Sequence, residues 1–128
     1  MAKTGQDKTI YRKNKVTFRF TIVDEDVTGE PPLDITNFVL KFAIARLTES
    51  GSPVVGSPII DLRSDTSGQI VKTDALNGEV EVRLTADDTD LLPHNKDYYL
   101  ELESFDASNN PVVTTTGILT VLPNVSNV

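Results

Sequence analysis

The ten residues Phe38 to Leu47, FVLKFAIARL, place Phe38, Leu40, Phe42 and Ile44 on every second position. Spacing of that kind sends those side chains to one face of an extended strand and Val39, Lys41, Ala43 and Ala45 to the other. A helix would instead gather its apolar residues at intervals of three and four. The preceding EPPLDIT carries Pro31 and Pro32, which cannot donate to a ladder and hold the backbone extended, so they belong to a loop or an edge just ahead of the strand. Asp34 and Thr36 have short polar side chains suited to bonding nearby backbone amides, which fixes how the chain runs into that strand.

The alternation recurs along the chain. Val16, Phe18, Phe20 and Ile22 mark a first strand, and Val80, Val82 and Leu84 mark another after the Asn77-Gly78 turn. Tyr98, Leu100 and Leu102 mark a third, with Tyr98 or Tyr99 placed to anchor a corner through its hydroxyl. Shorter apolar runs at Ile59–Leu62 and Ile70–Val71 lie between Ser- and Gly-rich breaks. Asn109-Asn110-Pro111 turns the chain into VVTTTGILTVL, where Gly117 predicts a bulge. In TADDTDLLP, Thr85 and Asp88 form a capping pattern and Pro93 forbids a long continuation, which predicts a single helical turn. The expected fold is all-β: an antiparallel immunoglobulin-like β-sandwich of six to eight strands with one short helical turn, a small closed barrel being the second arrangement.

A chain of 128 residues is long enough for one domain burying about 65–70% of its unfolded surface. Its organisation reads as a basic N-terminal arm over residues 1–15, a sandwich domain over 16–123 and a tail over 124–128. The arm holds five basic residues against Asp7 alone, so the remainder more than accounts for the net charge of -7. An acidic body repels nucleic acid and excludes it as a partner. The arm reads either as a solvated, partly disordered terminus or as a segment that docks on a neighbouring copy or another protein, with Lys3, Lys8, Ile10, Tyr11, Arg12, Lys13 and Lys15 as the partner-binding residues. No apolar run at the start resembles a signal peptide and none is long enough to span a bilayer, so the expectation is synthesis in the cytoplasm and no membrane partner.

Few residues offer chemistry. The chain has no Cys and one His, so thiolate nucleophiles and zinc-thiolate sites are excluded, and His94 follows Pro93 in a polar turn with no nucleophile beside it. Asp87, Asp88 and Asp90 read as helix-capping acids. Asp24, Asp26 and Thr28 with Gly29 begin a calcium-loop pattern, but Ile35 stands where the bidentate glutamate belongs, leaving an acidic hairpin turn. No phosphate-cradling glycine motif occurs, and Asn124-Val125-Ser126 is only a formal glycosylation triplet. Catalytic, cofactor and metal residues are therefore predicted as none, and with them no enzymatic activity and no small-molecule substrate.

The order FRFTIVDED, PPLDITNFVLKFAIAR, GEVEVRLTADDTDLLP, DYYLELE, TTTGILTVLP resembles the β-sandwich module of tailed-phage virion proteins, notably the N-terminal domain of the baseplate upper protein family. The likeness runs from about residue 15 to residue 123. Its marks are Leu33-Asp34-Ile35-Thr36, Leu84-Thr85-Ala86-Asp87 with Thr89 before Leu92-Pro93, Tyr99 with Leu102-Glu103, and Gly117 to Val121. Asn95 and Lys96 replace a glycine common in the family. The resemblance implies a structural virion protein, an adaptor in the tail, baseplate or fibre-attachment region that binds other virion proteins and copies of itself. The alternatives are a capsid decoration or neck protein and, from another class, a small carbohydrate-binding module.

Overall fold

Two sheets of unequal size make up the protein, seen in a computed structural model that describes residues 2–3, 6–93 and 96–123. In the larger sheet the order is β1 (Ala2–Lys3), β9 (Pro111–Leu122), β8 (Lys96–Phe105), β4 (Val39–Arg46), β5 (Ile60–Arg63), with β2 (Lys8–Tyr11) also on β9. The smaller sheet has the order β3 (Val16–Thr21), β7 (Glu79–Leu84), β6 (Ile70–Asp74). A helical turn, α1 (Ala86–Asp90), joins β7 to β8, and a 3-10 turn at Ala75–Asn77 joins β6 to β7.

The alternating residues form the inner rows of both sheets. Leu40, Phe42 and Ile44 are fully buried, as are Val82 and Leu100, and Phe18, Phe20 and Val80 close the core from the smaller sheet. Phe38 lies just ahead of β4 and packs, half-buried, against the core's rim. With β9-β8-β4-β5 facing β3-β7-β6, the strands are wired as in an immunoglobulin-like sandwich, not as a closed barrel. The corner tyrosine is Tyr98: its hydroxyl donates to the Pro93 carbonyl at 2.9 Å, five residues back. Tyr99 faces the opposite side of the sheet.

Local chemistry fixes the connections. Thr85 and Asp88 form the expected capping box at α1. The Asp34 carboxylate accepts from the Thr36 amide at 3.0 Å, and the Lys72 ammonium donates to the Thr36 and Phe38 carbonyls, so the run into β4 is held from two sides. Gly78 closes the 3-10 turn in the left-handed region at φ 70°, where a Cβ would also overlap the Ile22 carbonyl oxygen, so both backbone angle and space call for glycine there.

Three expectations need correction. The segment set apart as an arm, residues 1–15, is joined to the sandwich through its described residues. Lys8, Thr9, Ile10 and Tyr11 pair in parallel with Leu119 to Leu122, so the sheet is not wholly antiparallel. The cause is apolar: Ile10, only 3% exposed, belongs to the core, and the Lys8 ammonium sits 5.2 Å from the centre of the Phe20 ring in the other sheet. These N-terminal pieces bring the strands to nine among the described residues, above the six to eight expected. Gly117 makes no bulge. The β8–β9 register runs unbroken past it and shifts only between Ser104 and Phe105. Gly117 serves a close backbone approach instead. A Cβ there would overlap the Gln6 carbonyl, while the Gln6 amide donates to Thr116 at 3.1 Å and the Asp7 carboxylate accepts from the Ile118 amide at 2.9 Å. His94 and the tail over 124–128 lie outside the described residues.

Two substitutions check this packing by chemical denaturation. Phe42→Ala is expected to cost about 3–5 kcal/mol, the usual range for emptying a buried aromatic site. Gly117→Ala should cost about 1–3 kcal/mol through overpacking against Gln6 and should speed amide exchange in Lys8–Tyr11. Gly68→Ala, where a Cβ meets nothing within 4 Å, should stay within about 0.5 kcal/mol of the parent.

Candidate interaction surface

The residues expected to bind a partner do not form one exposed arm. Lys3 pairs through its backbone with Thr115, Lys8 reaches over Phe20, and Ile10 is core and so unavailable to a partner. Arg12 bonds the Asp90 carboxylate at 3.1 Å and the Asp90 carbonyl at 3.2 Å, tying the β2–β3 turn to α1. The Thr89 hydroxyl donates to the Asn14 carbonyl in the same turn. Lys13 occupies the left-handed region at φ 68°. Among those of them whose burial is described, Tyr11, 52% exposed, and Lys15 present the most surface. A basic patch of that composition is smaller than the sequence suggested, because much of it is spent on holding the N-terminal strand.

A more developed surface lies on the outer face of the larger sheet. Register sets Lys41 opposite Glu103, Ala43 opposite Glu101 and Ala45 opposite Tyr99, while Thr114, Thr116 and Ile118 continue the rows on β9. The small residues of β4 leave a hollow. The β4–β5 connection then folds over it: Val54 donates its amide to the Arg46 carbonyl at 2.8 Å and Ile59 to the Ile44 carbonyl at 2.7 Å, while Leu47 bridges Pro53. The result is a groove of about 410 Å³ floored by Ala43, Ala45, Glu101 and Glu103 and walled by Pro53, Val54, Val55 and Pro58. Val55 stands 91% exposed on its lip.

The floor is electrostatically loaded. The Tyr99 hydroxyl donates to Glu101 at 3.0 Å, and burial, reinforced by the Glu101 charge, pushes that phenol up to about 12. Burial, then the contact with Glu101, pushes the Glu103 carboxyl above its ordinary range, and the Lys41 ammonium opposes that shift only in part. Two carboxylates on alternate residues of one strand face therefore sit together, half-buried, with one cation in their neighbourhood. Elsewhere the acids are better matched: on the outer face of the smaller sheet, Glu81 bonds Arg83 at 2.9 Å and Arg19 at 3.0 Å, which hold its carboxyl below the usual range.

The alternation of Phe38–Leu47 separates two faces but does not show that a distant connection folds over the outer one, so the groove is not legible from it. The available signal was Val39, Ala43 and Ala45 on that same face, too apolar for a fully solvated row.

The Glu103 carboxyl makes stability depend on pH with a definite sign. A raised native carboxyl pKa means that the folded state binds the proton more tightly, so stability falls as pH rises from the ordinary glutamate range through the raised value. Glu103→Gln should accordingly raise the melting temperature at neutral pH, and the gain should vanish in acid, as followed by thermal melts across that range.

No family model matches the chain, and neither does any curated protein. Among solved structures it is similar to a chain in the crystal structure of ICOS in complex with ICOS-L and an anti ICOS-L VNAR domain, at 11% identity and a TM-score of 0.40. That alignment covers 94% of this chain and 55% of the other, so this chain spans little more than half of its length. The immunoglobulin-like assignment rests on the strand order and the Tyr98 corner.

Proposed function

We propose that this chain is a protein-binding structural module without catalytic activity, and that it serves in the virion of a tailed phage as an adaptor in the tail, baseplate or fibre-attachment region. The observation that carries the binding role is the open groove on the outer face of the larger sheet, where a connection pinned to β4 walls a floor of small residues and paired carboxylates. A shallow surface with apolar walls and a charged floor suits contact with another protein. The virion setting is supported by the sequence resemblance, whose marks fall at structurally committed positions. Asp34 and Thr36 hold the run into β4, Thr85 caps α1, and Gly117 admits the N-terminal strand. The module assembles with other virion proteins or further copies of itself.

Purified particles of a tailed phage that carries this gene test the reading. Quantitative peptide mass spectrometry should find the chain in the particles at a fixed ratio to the tail proteins, and deleting the gene should abolish complete particles. Particles free of the chain, or full infectivity after deletion, would overturn it.

A further inference from the structure

The groove described above is specific enough to name the chemistry of what enters it. Its floor carries Glu101 and Glu103 from β8, with Asp61 on β5 at the side, against Lys41 from β4. Arg63, opposite Lys41 on β5, bonds Asp65 at 3.1 Å and also feels the charge of Asp61, so Lys41 is the cation that acts on Glu103. From β9 the facing residues are Thr114 and Thr116, which carry no charge. Negative charge is thus in excess at the base of a hollow whose walls, Pro53, Val54 and Pro58, are apolar, as are Ala43 and Ala45 beside the carboxylates. Lysine and arginine combine these two requirements in one side chain, an aliphatic stem that packs on apolar surface and a cationic head that seeks a carboxylate.

Resting on the reading of this chain as a protein-binding module, we propose that the groove receives a basic side chain from an extended segment of a partner protein. The stem lies against Ala43, Ala45 and Val54, and the cationic head reaches Glu101 and Glu103. Charge complementarity selects this occupant: a second cation restores balance at a half-buried acid pair that Lys41 alone leaves under-compensated, and an acidic or wholly apolar segment would leave that pair desolvated and unmatched. Val55, on the lip, offers its exposed side chain to the residues flanking the basic one. Because Glu103 binds a proton more readily than an ordinary glutamate, acid weakens the site by discharging its floor.

The full chain can be titrated with the synthetic peptide Ac-Ala-Val-Lys-Val-Ala-NH2 and with its counterpart bearing Glu in place of Lys, following backbone amide shifts by heteronuclear NMR. The lysine peptide should give saturable shifts confined to Ala43, Ala45, Val54, Val55, Glu101 and Glu103, with a dissociation constant on the order of 1 mM, as befits a single side-chain contact. The glutamate peptide should give none. The double substitution Glu101→Gln with Glu103→Gln, which removes charge without removing bulk, should weaken the lysine peptide about tenfold, the scale of a charge-assisted contact. Ala43→Lys, which supplies a cation from within, should abolish the response. Equal shifts from both peptides, shifts centred elsewhere, no shifts at all, or a response to calcium chloride in place of the peptide would each overturn the proposal. None of these outcomes bears on whether the chain is present in phage particles, so the two readings fail separately.

Discussion

The contact on which the rest depends is Phe42 packed between the sheets against Phe18 and Phe20. The ring centres lie 6.0 Å and 6.4 Å apart, tilted by 41° and 48°. Such tilted pairs are favourable aromatic arrangements. Antibody domains pin their sheets with a disulfide packed on tryptophan, and this chain has neither Cys nor Trp. A buried phenylalanine contributes about as much as such a disulfide, each being worth a few kcal/mol. Against a total stability on the order of 5–15 kcal/mol, that one contact is a large share of what keeps the sheets together.

Fixing Phe42 inward also fixes what faces outward. A one-residue slip in a strand exchanges its two faces, so burial of Leu40, Phe42 and Ile44 obliges Lys41, Ala43 and Ala45 to line the other side, opposite Glu103, Glu101 and Tyr99. The groove therefore inherits its register from the core. The N-terminal strand follows a similar logic at the far edge. Ile10 joins the core, Lys8 crosses to Phe20, and Gly117 makes room for the backbone that carries them. There a basic segment serves the apolar interior, and its charges are oriented by where Ile10 must go.

These cases show how far the sequence could be read. Strands with repeated alternation, such as Val80–Leu84 and Tyr98–Leu102, were legible because each places several large side chains in one core. The turn at Thr85–Asp90 was legible because its capping bonds are local. The N-terminal strand was not, since Ile10 alone among polar neighbours makes no period, and parallel pairing with a strand more than a hundred residues away leaves no local trace. A glycine inside a strand marks either a bulge or a close backbone approach, and at Gly117 only the position of Gln6 separates the two. Of the partner-binding residues, charge marked Lys8, Arg12 and Lys13 without revealing that Phe20, Asp90 and a tight turn had already engaged them. The half-burial of the β8 glutamates left no local trace, because the connection that half-covers them belongs to a different stretch of sequence.

The floor and the wall of the groove differ in how they are held, and that difference has a physical consequence. Tyr99, Glu101 and Glu103 alternate with Tyr98, Leu100 and Leu102, each of which is nearly or fully buried, and Tyr98 is tied at its hydroxyl to Pro93. The floor thus rides on a strand clamped by the core and by neighbours on both sides, so its carboxylates meet a partner already placed, and little ordering cost falls on binding. The wall hangs from backbone bonds at Val54 and Ile59. Between them Val55, Gly56, Ser57 and Pro58 carry no core side chain, and Gly56 adopts φ 85°. Loop segments with few buried contacts occupy the low-stability end of a structure. Adjustment to the shape of an incoming segment therefore falls on residues 55–58, while the acid pair on β8 keeps the geometry that the packing of Phe42 imposes.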